Sequence, residues 1–385
     1  MIRFTTAGES HGRGIIAILE GIPAGLNVNS EDIDVELARR QKGYGRGARM
    51  RIETDVVKVL SGMRYARTIG SPIALYVTNR DWENWENIMS PIAVDLDGEI
   101  LLKPRPGHAD LAGLMKYGST DFRDILERAS ARETAARVAV GAVCKELLKE
   151  FDIRITSYTL QIGNVTADIN SVPAEKIWHN TEMSYVRCPD AAASKKMIQL
   201  IKKTGSQGDT LGGKLAVKIE NVPAGLGSHT QWDLKLDGRL AQSFLSIQAI
   251  KAVEFGSGSK LAAIPGSLSH DEIFYNDKKG FYRNTNRAGG IEGGMSNGET
   301  IEISCTMKAI PSLAKPLRSV NLSTKKAAKA EAVRSDVCAV PAAGIVAEAV
   351  AAFEIAKALK EKFGGDNIED MKKSVAAYKA RLKNI

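Results

Sequence analysis

The sequence predicts an α+β fold built as two pseudo-symmetric halves, and three observations carry that expectation. A strand, turn and helix pattern recurs far along the chain, apolar runs stand at matching places in both parts, and one long helix closes each part. The first copy reads Leu19-Glu20-Gly21-Ile22-Pro23-Ala24-Gly25-Leu26 and the second Ile219-Glu220-Asn221-Val222-Pro223-Ala224-Gly225-Leu226.

Each copy follows an apolar run, Ile15 to Leu19 or Leu215 to Ile219, that reads as a strand, and Pro-Ala-Gly supplies the turn. A helix follows. In the first copy Ser30 can cap it, Glu31 and Asp32 suit its positive end, and Ile33, Leu37 and Arg40 fall at helical spacing. In the second, Leu236-Asp237-Gly238-Arg239-Leu240-Ala241 echoes Ile33-Asp34-Val35-Glu36-Leu37-Ala38. Further strands are expected at Val56 to Leu60 and Ile73 to Val77, matched by Ala249 to Phe255 and Thr300 to Thr306. The closing helices run from Ser130 to Phe151 and from Val340 to Phe363, each with an apolar stripe. The expectation is one domain over 1–385 with a duplication covering approximately 1–151 and 212–363.

With 385 residues, 44% hydrophobic and 25% charged, the chain can build a large core, and no low-complexity linker divides it. Lys and Arg outnumber Asp and Glu by 53 to 45, and the net charge of +8 favours anionic partners: nucleic acid, acidic lipid or an anionic metabolite. The cysteines, Cys144, Cys188, Cys305 and Cys338, lie far apart without a CxxC pair, against a disulfide scaffold or a structural zinc. Met1 to Gly12 carries Glu9 and His11 and lacks the apolar stretch of a signal peptide, and no window holds about eighteen uninterrupted apolar residues. A cytoplasmic chain with no membrane span is expected.

Gly8-Glu9-Ser10-His11-Gly12 fits the G-x-S-x-G elbow of serine hydrolases, which would make Ser10 a nucleophile. An elbow needs a helix immediately afterwards, whereas Ile15 to Leu19 is β-branched and apolar, and no HGGG-type segment precedes it. His11 can give or take a proton near neutral pH on a backbone that approaches a ligand closely, or be a plain turn histidine. Arg39, Arg40, Arg46, Arg49 and Arg51 surround Gly43-Tyr44-Gly45-Arg46-Gly47, planar donors suited to phosphate or carboxylate. The rival reading is an arginine-rich nucleic-acid module, but such grooves interleave stacking aromatics and only Tyr44 is present.

Lys103-Pro104-Arg105-Pro106-Gly107-His108-Ala109-Asp110 brings a proline-stiffened approach to His108, as a held proton donor or as a helix cap. Glu127-Arg128-Ala129-Ser130-Ala131-Arg132-Glu133-Thr134 opens the first long helix, whose free amides and dipole favour an anion, with Arg132 adding charge. Arg334-Ser335-Asp336 stands at the matching place in the second half, as a contribution to the same site or as a surface ion pair. Arg287 to Gly294 and Lys308-Ala309-Ile310-Pro311-Ser312 can lie against a ring or a phosphate or be simple loops. There is no Walker A loop, no GxGxxG after a strand, no HExxH and no EF-hand spacing, so ATP, a Rossmann dinucleotide and a catalytic metal lose support.

Taken in order, these segments resemble chorismate synthase along nearly the whole chain: Gly8 to Gly12 with Glu20-Gly21-Ile22-Pro23, Arg40 to Gly47, Arg105 to Asp110, Ser130 to Thr134, and Arg334 to Asp336. The resemblance implies a sandwich of helices between antiparallel β-sheets, assembled as a homotetramer. It implies a lyase that performs a 1,4-anti elimination of phosphate from 5-enolpyruvylshikimate 3-phosphate, with reduced FMN (FMNH2) as cofactor and no net redox change. By position, Arg128, Ala129, Ser130, Gln248, Ala249, Gly293, Lys308, Ala309, Ile310, Pro311, Ser312 and Arg334 resemble the FMN set, and Ser10, Arg49, Arg105, Arg132 and Arg334 the substrate set. His11 resembles the family's histidine near the leaving phosphate, His108 the one that protonates the flavin ring, and Asp336 the carboxylate that relays a proton from it. Arg40 and Arg46 match positions linked to reduced pyridine nucleotide (NADP), and the flavin is reduced either there or by an external flavin reductase. This chain departs from the family's pattern at Lys42, where glycine is frequent, at Ala129, where serine is common, and at Ala309, where proline is usual.

Overall fold

Ile15, Ala17 and Leu19 are buried while Ile16 and Ile18 between them are exposed, the period of two that lays one sheet face on a core. The computed structural model describes residues 1–47, 54–94, 100–332 and 336–385. Its first part contains β1 (Arg3–Ala7), β2 (Gly14–Glu20), α1 (Ser30–Gln41), β3 (Val57–Val59), β4 (Ile73–Thr78), α2 (Asp110–Tyr117), α3 (Arg123–Ala129) and α4 (Thr134–Lys149). The second contains β5 (Arg154–Ile162), β6 (Val165–Thr166), α5 (Ala191–Ser206), β7 (Gly213–Glu220), α6 (Leu236–Leu245), β8 (Ile250–Phe255), β9 (Ile301–Met307), α7 (Val340–Phe363) and α8 (Ile368–Leu382).

One sheet runs β1-β2-β4-β3 and the other β8-β9-β7-β5-β6, antiparallel throughout. Helices α1 and α4 pack on the first sheet, α6 and α7 on the second, and α4 lies directly against α7, so the helices fill the space between the sheets. This is the α+β sandwich anticipated. A Cβ built on Gly141 of α4 would stand 2.3 Å from the Ala349 Cβ of α7, so glycine sets how closely the two helices approach. Helix α7 is buried along nearly its whole length, which suits its apolar composition all round.

The strands correspond pairwise. Reading β1, β2, β4, β3 against β5, β7, β9, β8 gives the same spatial order, with β6 added at one edge. The two Pro-Ala-Gly turns are also clasped alike. Thr68 Oγ1 donates to the Pro23 carbonyl at 2.6 Å and accepts the Leu26 N–H at 3.0 Å, and the Thr68 carbonyl accepts the Gly25 N–H at 2.8 Å. Ser296 Oγ donates to the Pro223 carbonyl at 2.7 Å and accepts Leu226 N–H at 2.8 Å, while its carbonyl accepts Gly225 N–H at 2.7 Å. Helix α8 spans both turns: Ile368 N–H donates to the Ala24 carbonyl at 3.0 Å and Tyr378 Oη to the Ala224 carbonyl at 2.9 Å. Thr68→Val and Ser296→Ala should each cost about 1–3 kcal/mol, since each strands a buried carbonyl and N–H, with closely similar shifts of the urea midpoint.

Between the two layers of helices, α7 presents Glu348, which is fully buried. It accepts hydrogen bonds from Lys145 Nζ at 2.6 Å, Ser157 Oγ at 2.7 Å, Arg39 Nη1 at 2.9 Å and Arg187 Nη2 at 3.2 Å. Glu36 joins Arg39 to Lys145, and Glu182 joins Arg39 to Arg187. Burial alone would raise the Glu348 carboxyl, but Lys145, Arg39 and Arg187 outweigh it and hold it well below the ordinary carboxylate range.

Two element boundaries differ from the sequence expectation. Ser130 is extended (φ −62°, ψ 142°) and its hydroxyl accepts the Arg132 N–H, so a 3-10 turn over Ala131–Glu133 precedes α4, and the chain leaves the helix with Asp152 at φ +63°. Helix α1 begins at Ser30, and it is Asn29 that precedes it, with its backbone N–H donating to Asp32 Oδ2 at 3.3 Å. No helix among the described residues is long and apolar enough to cross a membrane.

Candidate active site

The Gly8 to Gly12 turn links β1 to β2, because the apolar alternation of Ile15 to Leu19 makes a strand of what a hydrolase elbow would need as helix. Ser10 at its centre is only 2% exposed, and its N–H donates to the Glu127 carbonyl at 2.9 Å. His11 follows. Its Nδ1 lies 2.9 Å from both Oε1 and Oε2 of Glu127, its own N–H donates to Oε2 at 2.9 Å, and its ring stacks on Trp85 with centroids 3.9 Å apart. Arg128, next to Glu127 on α3, donates to the carbonyls of Gly8 at 3.0 Å and Thr6 at 3.1 Å.

Asn79, just past β4, ties this turn to a buried arginine pair. Its Nδ2 donates to the Glu9 and Gly12 carbonyls at 3.0 and 2.6 Å, and its Oδ1 accepts Arg132 Nε–H at 2.8 Å. Asp55 bridges Arg132 and Arg40, with Arg40 Nη2 at 2.6 Å. Burial would raise the Asp55 carboxyl, and the two guanidinium groups override it and pull it below its usual range. Arg40 is 4% exposed and Arg132 5%, so these charges face an interior that strengthens every electrostatic contact.

A second centre forms around His108. Asp110 at the start of α2 pairs with His108 Nδ1 and takes Arg105 through Nε at 2.9 Å and Nη2 at 3.1 Å. Arg105 Nη1 reaches Ser312 Oγ at 2.8 Å and Lys308 Nζ donates to the Gly107 carbonyl, so the Lys308 to Ser312 loop closes on the Pro-Gly-His segment. The Asp110 carboxyl is held below its ordinary range: burial pushes it up, and His108 with Arg105 more than reverses that. Ala249, at φ +68°, accepts the Lys308 N–H at 2.9 Å, and Gln248 Oε1 beside it is buried with no hydrogen-bond partner among the described residues. Thr210 Oγ1 holds the Ile310 carbonyl at 2.7 Å, leaving Ala309 and Pro311 between anchored neighbours.

The glycine and arginine loop is pinned from the second half. Asp336 accepts Gly47 N–H at 2.6 Å and pairs with Arg46 at 2.7 Å, while Val337 N–H donates to the Gly45 carbonyl at 2.7 Å. Arg334, for which a surface pair with Asp336 is the alternative, lies outside the described residues, as does Arg49. A cleft of about 850 Å³ opens beside this loop, lined among others by Lys42, Arg46, Arg187, Lys202 and Tyr185, and neither His11 nor His108 lines it. Gly293 turns the hairpin next to α6, where the Gly294 carbonyl accepts the Leu236 N–H at 2.8 Å. Among the described residues no group of acidic, histidine and cysteine side chains could hold a metal. Sequence reasoning assigned no role to Glu127, Asp55, Asn79 or Trp85: their side chains meet the site only through tertiary packing, with no spacing signal.

The family model described as chorismate synthase matches residues 2–359. The chain belongs to the chorismate synthase family. The chorismate synthase of Endomicrobium trichonymphae is 74% identical over 383 residues, covering all of both chains. That of Desulforamulus reducens is 52% identical over 388 residues, again covering both completely. A crystal structure of chorismate synthase superposes with a TM-score of 0.81 at 42% identity, over 100% of this chain and 99% of that one.

Proposed function

We infer that this chain is a carbon–oxygen lyase that converts 5-enolpyruvylshikimate 3-phosphate to chorismate by 1,4-anti elimination of phosphate, using reduced FMN. The observation that carries the reading is the chorismate synthase match across residues 2–359. In the elimination a C–O bond to phosphate and a C–H bond break and a C=C bond forms, with no net redox change. Arg105 and Arg132, with Arg49 and Arg334, hold the substrate's carboxylates and phosphate, and Ser10 supports them from the turn. Several guanidinium groups are what a multiply anionic substrate requires in a site that excludes water.

The residues present fit a flavin mononucleotide. Gln248 Oε1 is a buried acceptor awaiting a donor such as a ring N–H, Ala249 and Lys308 are hydrogen-bonded beside it, and Arg128 and Lys308 bring cations for a phosphate. Gln248, Ala249, Lys308 to Ser312, Arg128 to Ser130, Gly293 and Arg334 form the proposed set. Bound there, reduced FMN would supply electron density while phosphate departs. His11 would give a proton to the leaving phosphate, and with the flavin bound His108 would serve as a proton donor and Asp336 as a proton acceptor toward it. Arg40, enclosed with Asp55, supports the buried charges, and of the pair read as a nucleotide site only Arg46 lines the cleft.

The same reading carries a cytoplasmic homotetramer supplied by its own nicotinamide-dependent reduction or by an external reductase. The test is anaerobic turnover with FMN reduced by dithionite or left oxidised, following phosphate release and chorismate absorbance together. Product only with reduced flavin is expected, and no product in either condition would overturn the assignment.

A further inference from the structure

We propose that Glu127 is a positioning residue for His11: its carboxylate holds one proton on Nδ1, so that the second proton, which the ring carries as imidazolium, sits on Nε2 and is the one that passes to the departing phosphate. The proposal rests on the elimination reading for what that proton does. Glu127 is 2% exposed, and everything it binds in the site belongs to two adjacent residues. Its carbonyl takes Ser10 N–H, its Oε2 takes His11 N–H, and both of its carboxylate oxygens stand 2.9 Å from His11 Nδ1.

A carboxylate only accepts hydrogen bonds, and a neutral imidazole has one donor and one acceptor nitrogen. A contact this short therefore places the donor on Nδ1. Trp85 opposes rotation of the ring: its indole stacks at 23° to the imidazole and is itself held by Asp81, which accepts Trp85 Nε1–H at 3.0 Å. With backbone, carboxylate and indole all fixed, the ring has one tautomer and one orientation, the condition for delivering a proton in a set direction. Asp110 meets His108 in a similar way but also binds Arg105 through two nitrogens, so replacing it would release a guanidinium as well. Glu127 gives the cleaner experiment.

The chain has five histidines, so nitrogen-15 spectra of the ligand-free protein labelled at histidine are tractable, and His11→Ala assigns the His11 signals. At a pH where the ring is neutral, the parent protein should show a protonated Nδ1 and an unprotonated Nε2. Glu127→Gln offers both a donor and an acceptor and should abolish that preference. In the anaerobic assay with reduced FMN, Glu127→Gln should lower kcat at least about tenfold, a share of the ~10²–10⁴-fold that a general acid supplies, with KM little changed. A His11 ring protonated on Nε2 in the parent would overturn the proposal whether or not the chain performs the elimination. So would a Glu127→Gln protein that changes tautomer yet keeps its kcat. The parent spectrum needs no variant, so misfolding of Glu127→Gln leaves the decisive measurement in place.

Discussion

His11→Ala turns over about 10²–10⁴-fold more slowly than the parent in the anaerobic assay, while its melting temperature and substrate KM stay close to the parent's. The size follows from chemistry: phosphate leaves more readily when protonated, and alanine has no proton to give. The intact fold follows from the location. The His11 side chain retains 17% of its exposure, stacks on one face of Trp85 and lies outside the hydrophobic core. The turn itself persists because Ser10 N–H, Gly12 N–H and Asn79 secure it through main-chain groups that the substitution leaves unaltered. Parallel measurement of phosphate release and thermal melting checks this, and turnover within threefold of the parent would remove His11 from the reaction.

Glu348→Ala produces the largest loss of stability, about 3–5 kcal/mol, because it leaves Arg39, Lys145 and Arg187 packed around a site without its central anion. Urea denaturation reads the effect as a lower midpoint. Its dependence on pH has a defined sign. The Glu348 carboxyl lies lower in the folded chain than in the unfolded one, so its contribution is complete above the unfolded glutamate value of about 4.3 and is lost as pH falls through the folded value. Asp55 and Asp110 act in the same direction. The parent should therefore weaken steeply below about pH 4, and Glu348→Ala should show a shallower acid limb. An unchanged midpoint would mean that the three cations rehydrate without cost.

The architecture was legible where local pattern decides it. Strands β2 and β7 and the two Pro-Ala-Gly turns stand where apolar alternation and turn chemistry place them, within a residue or two. The start of α4 was not, because the Ser130 hydroxyl competes for the Arg132 N–H, and hydrogen-bond competition of this kind leaves no periodicity to read. In the site, the sequence exposes the groups that carry charge, such as Arg105, Arg132 and His108, because arginine beside glycine or proline is conspicuous. It conceals their counterweights. Asp55 and Asn79 come from separate strands' ends, and Glu127 from a helix more than a hundred positions after His11, so only folding brings them into contact.

Helix α8 has a consequence for the order in which the molecule can be completed. The Ala24 carbonyl and N–H find their partners at Ile368 and Asp366, so the earliest turn of the chain stays open until residues far downstream exist. The Ala224 carbonyl waits likewise for Tyr378. A ribosome-bound intermediate that already contains both sheets would still lack this latch, and contacts of such long sequence separation close slowly. Exchange of the Ala24 amide hydrogen should consequently report the docking of α8, acquiring protection in the same kinetic phase as the amides of that helix.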